Sequence, residues 1–177
     1  MATIQINSTD WENRITVRKG NLGEAIVKRF LEGKSFVCYK SITDKAHAFD
    51  FLAVKDKKDF IIAEVKSKAL MNVKPVTGIN YRNLEEYKYV LDKYKIPIFL
   101  FFVDEHLKEI YGNWLHILEK RVEIGNEIYP QEMTTKKGIL LRLWHYKQMR
   151  HIAKISDSQA NDLKTMSSRK YEYEINI

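Results

Sequence analysis

The stretch that most limits what this chain can fold into runs from residue 47 to residue 67, HAFDFLAVKDKKDFIIAEVKS, two apolar segments joined by a charged break. Phe, Val, Ile and Ala dominate both segments, and Asp56-Lys57-Lys58-Asp59 supplies the polar connection of a β-hairpin. A hairpin symmetric about Lys57 sets Asp50 opposite Glu64. Side chains alternate along a strand, so Asp50, Leu52, Val54, Phe60, Ile62, Glu64 and Lys66 share one face, and Phe49, Phe51, Ala53, Ile61, Ala63 and Val65 the other. Both faces are mostly apolar, as in a sheet covered on each side, yet one of them opposes two carboxylates. Exposed like charges facing each other across a sheet cost roughly 0.2 to 1 kcal/mol, and burial raises that cost by stripping hydration. A divalent cation removes the conflict. Mg²⁺ takes hard oxygen ligands, often one or two protein carboxylates, and leaves its other positions to water and phosphate. Lys66, one step along the face, is then placed to hold a phosphate or orient an attacking water.

Asp50 followed by Glu64-Val65-Lys66 resembles the metal motif of the PD-(D/E)XK nuclease superfamily, with Phe49 where the family pattern has proline. That family often carries a glutamate on the helix before its motif strands, and Glu24, within Lys19-Gly20-Asn21-Leu22-Gly23-Glu24, sits at the corresponding place. Helix, strand, Asp strand and ExK strand cover residues 19–68, and a following helix and strand reach Asp104. The Gly20-Asn21-x-x-Glu24 helix and the motif order are also locally similar to archaeal Holliday junction resolvases. The resemblance implies an α/β fold, a central mixed β-sheet flanked by helices with a restriction endonuclease-like αβββαβ core. It implies Mg²⁺, with Mn²⁺ as a substitute, held by Asp50, Glu64 and the Val65 backbone carbonyl. Glu24 would support a second ion or its water shell, and Lys66 would position or activate the water. The expected activity is hydrolysis of nucleic-acid phosphodiesters, first of all as a DNA endonuclease, without a covalent intermediate. The alternatives are an RNA nuclease and a catalytically silent nucleic-acid-binding or assembly protein of the same fold. DNA is the expected partner, RNA remains open, and a homodimer is admitted.

A chain of 177 residues suits one domain, 1–177, with a core at about 19–104 and a C-terminal elaboration over 105–177. With 45% hydrophobic and 30% charged residues it has the composition of a soluble globular protein. No apolar run approaches the roughly 20 residues that span a bilayer, so no membrane partner is expected. The opening MATIQINSTDWENR lacks a basic start and an apolar core like those of a signal peptide, and Cys38 is the sole cysteine. Both point to a reducing, cytoplasmic location. The net charge of +7 favours polyanionic partners, weakly by itself and more so beside a motif that needs a phosphodiester.

Taken in order, residues 3–6 suggest a short strand and residues 19–32 an amphipathic helix, in which Asn21 and Glu24 also fit a capping box. Residues 35–40 read as a strand, His47 as a packing or solvent residue, and Asp56 and Asp59 as turn residues. A polar loop over 67–80 carries Lys68 and Lys74, both candidate substrate contacts. The helix predicted over 81–95 turns Leu84, Tyr87, Leu91 and Tyr94 to the core and leaves Arg82, near its start, for substrate. Residues 96–103, IPIFLFFV, suit a strand buried on both faces. Residues 109–118 fit a strand or a short helix, 125–137 a loop, and 138–144 a strand. The basic run after it, with Lys147 and Arg150, fits either a phosphate-backbone track or a solvated face. A helix over 157–166 capped by Ser156 or Asp157 and an edge strand over 171–177 complete the chain.

Overall fold

A computed structural model of the chain describes residues 14–40, 49–56, 59–71 and 74–167. The expectations for residues 3–6, His47 and 171–177 lie outside the described residues. The helix α1 (Ile15–Gly33) leads into the strands β1 (Val37–Tyr39), β2 (Phe51–Lys55), β3 (Asp59–Ser67) and β4 (Val76–Asn80). Helix α2 (Tyr81–Tyr94), strands β5 (Ile98–Asp104) and β6 (Glu109–Trp114) and the short helix α3 (Leu115–Leu118) follow. The chain continues through β7 (Val122–Ile124), β8 (Glu127–Tyr129), β9 (Gln131–Thr134), β10 (Leu140–His145), β11 (Arg150–Lys154) and α4 (Asp157–Thr165).

The main sheet has six strands in the order β1-β2-β3-β5-β6-β11. Only the β3–β5 pair is parallel, so the sheet is mixed, and the crossover between these two strands contains β4 and α2. The hairpin has the expected register, from Lys55 opposite Asp59 to Phe51 opposite Ala63. Asp56 takes a positive φ of 52° in the connection, a turn role that short polar side chains tolerate. Asp59, in contrast, is the first residue of β3.

Helices cover both faces of the sheet because both faces are apolar. On one side Ile26, Val27 and Leu31 of α1 and Ala160 and Leu163 of α4 pack with Ala53, Ala63, Val65 and the β5 residues Phe99, Phe101 and Val103. On the other, Leu84 and Tyr87 of α2, Leu115 and Leu118 of α3 and Trp144 pack with Ile62, Ile98, Leu100 and Phe102. Every residue of β5 is buried, as its unbroken apolar run requires. Phe49 departs from its expected side. It packs with Leu52 and α2, since the chain is not yet in the strand at Asp50 and the alternation begins at Phe51.

Three other expectations are corrected. Helix α1 begins at Ile15, more than a turn before residue 19, so Asn21 and Glu24 lie inside the helix and form no capping box. Residues 76–80, expected in a loop, form β4 with four of its five residues buried, paired to β10 in a second, three-stranded sheet β4-β10-β9. The polar stretch 125–137 contains β8 and β9, the latter completing that second sheet. Residues 109–118 are both of the alternatives in turn, strand β6 and then α3. At α4 the Ser156 hydroxyl accepts from the Gln159 N–H at 3.2 Å while the Gln159 side chain accepts from the Ser156 N–H at 2.9 Å, a complete capping box.

Candidate active site

The motif residues meet at the C-terminal end of β3, beside parallel β5. Asp50, just before β2, accepts a 2.7 Å hydrogen bond from the Val65 N–H through Oδ2. That bond ties the start of one hairpin strand to the end of the other. Glu64 points to the α2 side and is 3% exposed. Its Oε1 accepts from the Tyr87 hydroxyl at 2.5 Å and from the Lys66 ammonium, while its Oε2 is buried without a hydrogen-bond partner. A carboxylate oxygen left bare in the interior carries a desolvation cost of several kcal/mol unless a cation meets it.

The electrostatics of the site follow from crowding. Burial, then the neighbouring carboxylates of Glu64 and Glu24, push Asp50 up to about 7, against the lowering effect of the Val65 N–H and of Lys66. Lys66 behaves in the opposite way. Burial acts to lower its pKa, but Glu64, Asp50 and Glu24 together raise it, so Lys66 stays a cation. Burial and the adjoining Glu64 hold the Tyr87 hydroxyl far above its usual range, which fixes it as a donor to that carboxylate.

Glu24 reaches the same end of the sheet from α1, where its Oε2 pairs with Lys40, the residue after β1, at 2.5 Å. Close approach of α1 to β3 is made possible by Gly23, where a Cβ would run into the side chain of Ser67. Next along the same helix, Lys19 donates to Glu105 at 2.6 Å and to Ser167 at 2.7 Å. Glu105, just after β5, is 1% exposed, and its other oxygen is also buried without a partner.

A cleft of about 540 Å³ opens over this end of the sheet. Lys19, Glu24, Asp50, Lys66, Ser67, Lys68 and Glu105 line it from α1 and the ends of the main-sheet strands, and Met71, Gly78, Met133, Leu141 and Leu143 line it from the second sheet and the segment before β4. Glu64 lies beneath the lining. Lys68 is in the cleft, with its ammonium donating to the Gly78 carbonyl at 3.2 Å. The other expected substrate contacts stand away from it. Lys74 pairs with Glu127, and Arg82, on the exposed start of α2, with Glu86 at 3.4 Å. Lys147 and Arg150 are exposed next to and within β11, three strand spacings from β3, roughly 14 Å across the sheet.

Sequence reasoning missed Tyr87, Lys40, Lys19 and Glu105. Tyr87 had a signal: it lies on the core face of α2, and the buried face of β3 that this helix covers bears Glu64. The others are brought in only by tertiary packing.

Whether these residues suit a divalent ion is tested by the orphaned oxygen of Glu64 and by Asp50, both short of positive charge. Two carboxylates within one electrostatic cluster fit an ion that keeps several waters. Among the described residues no group of three or more His, Cys, Asp or Glu is arranged as a ready metal cage.

The fold therefore defines a class, a mixed sheet flanked by helices with acidic and lysine side chains gathered at the end of its parallel strand pair. Among solved structures the chain is similar to Hjc, a Holliday junction resolvase from the archaeal hyperthermophile Archaeoglobus fulgidus, with a TM-score of 0.52 and 12% identity over 76% of this chain and 92% of that one. At that identity the likeness is one of fold. The chain matches no protein-family model and no curated protein. Among the described residues no helix is long and apolar enough to cross a membrane.

Proposed function

We propose that the chain is a metal-dependent nuclease of the PD-(D/E)XK type that hydrolyses phosphodiester bonds in DNA as an endonuclease. The observation that carries this reading is the cluster at the end of β3. Asp50 is anchored on the Val65 N–H, Glu64 keeps one oxygen unpartnered, and Lys66 stands on Glu64. Asp50 and Glu64, with the Val65 carbonyl, would hold Mg²⁺ or Mn²⁺, which supplies Lewis-acid polarisation of the phosphate and a water acidic enough to attack at neutral pH. The chain's own residues do the rest. Lys66, held protonated by its carboxylate neighbours, offsets phosphate charge and orients the water instead of removing its proton. Tyr87 fixes the Glu64 carboxylate from behind. Glu24, which also lines the cleft, adds negative charge for a second ion or its water shell, and the Lys68 ammonium in the cleft adds a positive group for a polyanion.

The likeness in fold to a Holliday junction resolvase supports DNA as the substrate. The test is cleavage by the purified chain of branched, duplex and single-stranded DNA and of RNA, each with Mg²⁺, Mn²⁺ or EDTA. Cleavage of at least one DNA form with either ion and none in EDTA is expected. Cleavage that persists in EDTA, or none on any DNA, overturns the reading.

A further inference from the structure

The cleft has two unlike walls, and only the charged one is used by the proposed chemistry. The second wall comes from the three-stranded sheet β4-β10-β9. Leu141 faces Met133 across the β10–β9 pair, and Leu143 faces Gly78 across the β10–β4 pair. With Met71 these side chains form one apolar cluster around the buried Val76, Tyr129 and Leu143. Alternation turns the other face of β10 away, where Arg142 pairs with Glu119 and Trp144 joins the main core. A Cβ at Gly78 would collide with the Arg142 carbonyl and crowd the Leu143 side chain, so glycine at this position lets β4 lie close against β10. Met71, Met133 and Leu141 are partly exposed and line the same cleft as Asp50 and Lys66.

Beside a scissile phosphate in continuous duplex, the neighbouring surface is sugar and phosphate oxygen, while the bases are stacked out of reach. An apolar wall against such a surface strips water from polar atoms and returns little. A nucleotide that is unpaired presents the flat apolar faces of its base instead. Methionine thioethers and leucine methyls pack on such faces. Methionine, unbranched and polarisable, adapts to bases of different size, which makes the contact tolerant of sequence.

We propose that the Met71–Met133–Leu141–Leu143 wall receives an unpaired nucleobase next to the scissile phosphate, so that the site selects phosphodiesters flanked by an unpaired nucleotide over continuous duplex. This rests on the nuclease reading, since the neighbouring charged wall must hold the phosphate.

The test is equilibrium binding of the full chain, with Ca²⁺ in place of Mg²⁺, to three fluorescent oligonucleotides. These are a duplex, the same duplex with a one-nucleotide bulge, and that bulge made abasic. The bulge is expected to bind about 10-fold more tightly than either of the others. In the doubly substituted Met133→Gln, Leu141→Asn chain, the bulge is expected to bind no better than its abasic form. Equal binding of bulged and abasic duplex by the unaltered chain overturns the wall, whatever the variant's fold does, and so does a preference that survives both substitutions. Absence of binding to all three overturns the nuclease reading together with this inference, whereas binding without discrimination overturns the inference alone.

Discussion

Replacing Asp50 by Asn turns the crowding of the site into a measurable stability. In the folded, metal-free chain Asp50 titrates at about 7, against an ordinary value of 3.8, because burial and the carboxylates of Glu64 and Glu24 oppose its charge. The folded protein therefore keeps a proton that the unfolded chain releases as pH rises from about 4 to 7. Across that window the unfolded state binds fewer protons, so stability falls as pH rises. A separation of about three pH units corresponds to at most about 4 kcal/mol, at 1.36 kcal/mol per unit. An asparagine can still accept the Val65 N–H but carries no charge at any pH, so its share of the loss disappears. Urea unfolding in EDTA at pH 4.5, 6, 7 and 8 is the assay. The parent is expected to lose about 2 to 4 kcal/mol more than Asp50→Asn between the lowest and highest pH. With saturating Mg²⁺ at pH 8 the order is expected to reverse, because only the parent gains the binding free energy of the ion. Parallel pH curves for the two proteins in EDTA would refute the argument that Asp50 is held against its own charge.

Three further substitutions test the surroundings of the site. Tyr87→Phe removes the hydroxyl that fixes Glu64, so cation affinity is expected to fall about 10- to 100-fold with a stability loss of about 1 kcal/mol, read by calorimetric titration and melting; unchanged cation affinity would make Tyr87 a packing residue only. Glu24→Gln breaks an ion pair whose lysine is half exposed, so stability should move by less than about 1 kcal/mol while cleavage slows about 100-fold; an unchanged rate would remove Glu24 from the site. Gly23→Ala drives a methyl into Ser67 and is expected to lower stability by about 1 to 3 kcal/mol, with partial rescue by Ser67→Ala, and a rise in melting temperature would contradict the close approach of α1 to β3.

The hairpin was legible in the sequence because its signals are local. Two apolar runs, a polar break between them and a register symmetric about position 57 place Glu64 and Lys66 without reference to the rest of the chain. Strand β5 was legible for a similar reason, since seven consecutive buried positions can satisfy themselves only between two layers. What failed was set by distant partners. Strand β4, Val-Thr-Gly-Ile-Asn, has a glycine and an asparagine that weaken any strand signal, and it is held by β10, which begins 60 residues further on. Glycine at 78 is itself explained only by the nearness of the Arg142 backbone. The start of α1, Ile-Thr-Val, is β-branched and poor in helix propensity, so nothing local marks the helix start at Ile15. The capping-box reading of Glu24 failed with it. The apolar wall of the cleft was invisible in the same way, because Met71 and Met133 come from separate polar stretches and only the second sheet brings them beside Leu141 of β10.

The measurement that bears most directly on the site is single-turnover DNA cleavage by the parent chain and by Glu64→Gln, at saturating Mg²⁺ and in EDTA, with melting curves run alongside. Glutamine keeps the size of the side chain and an oxygen for Tyr87, but it removes the charge that Lys66 and the ion require. A parent that cuts only with Mg²⁺, and a folded variant slower by about 100-fold or more, is the predicted result. A folded Glu64→Gln chain that cuts DNA as fast as the parent would contradict the assignment of catalysis to the end of β3.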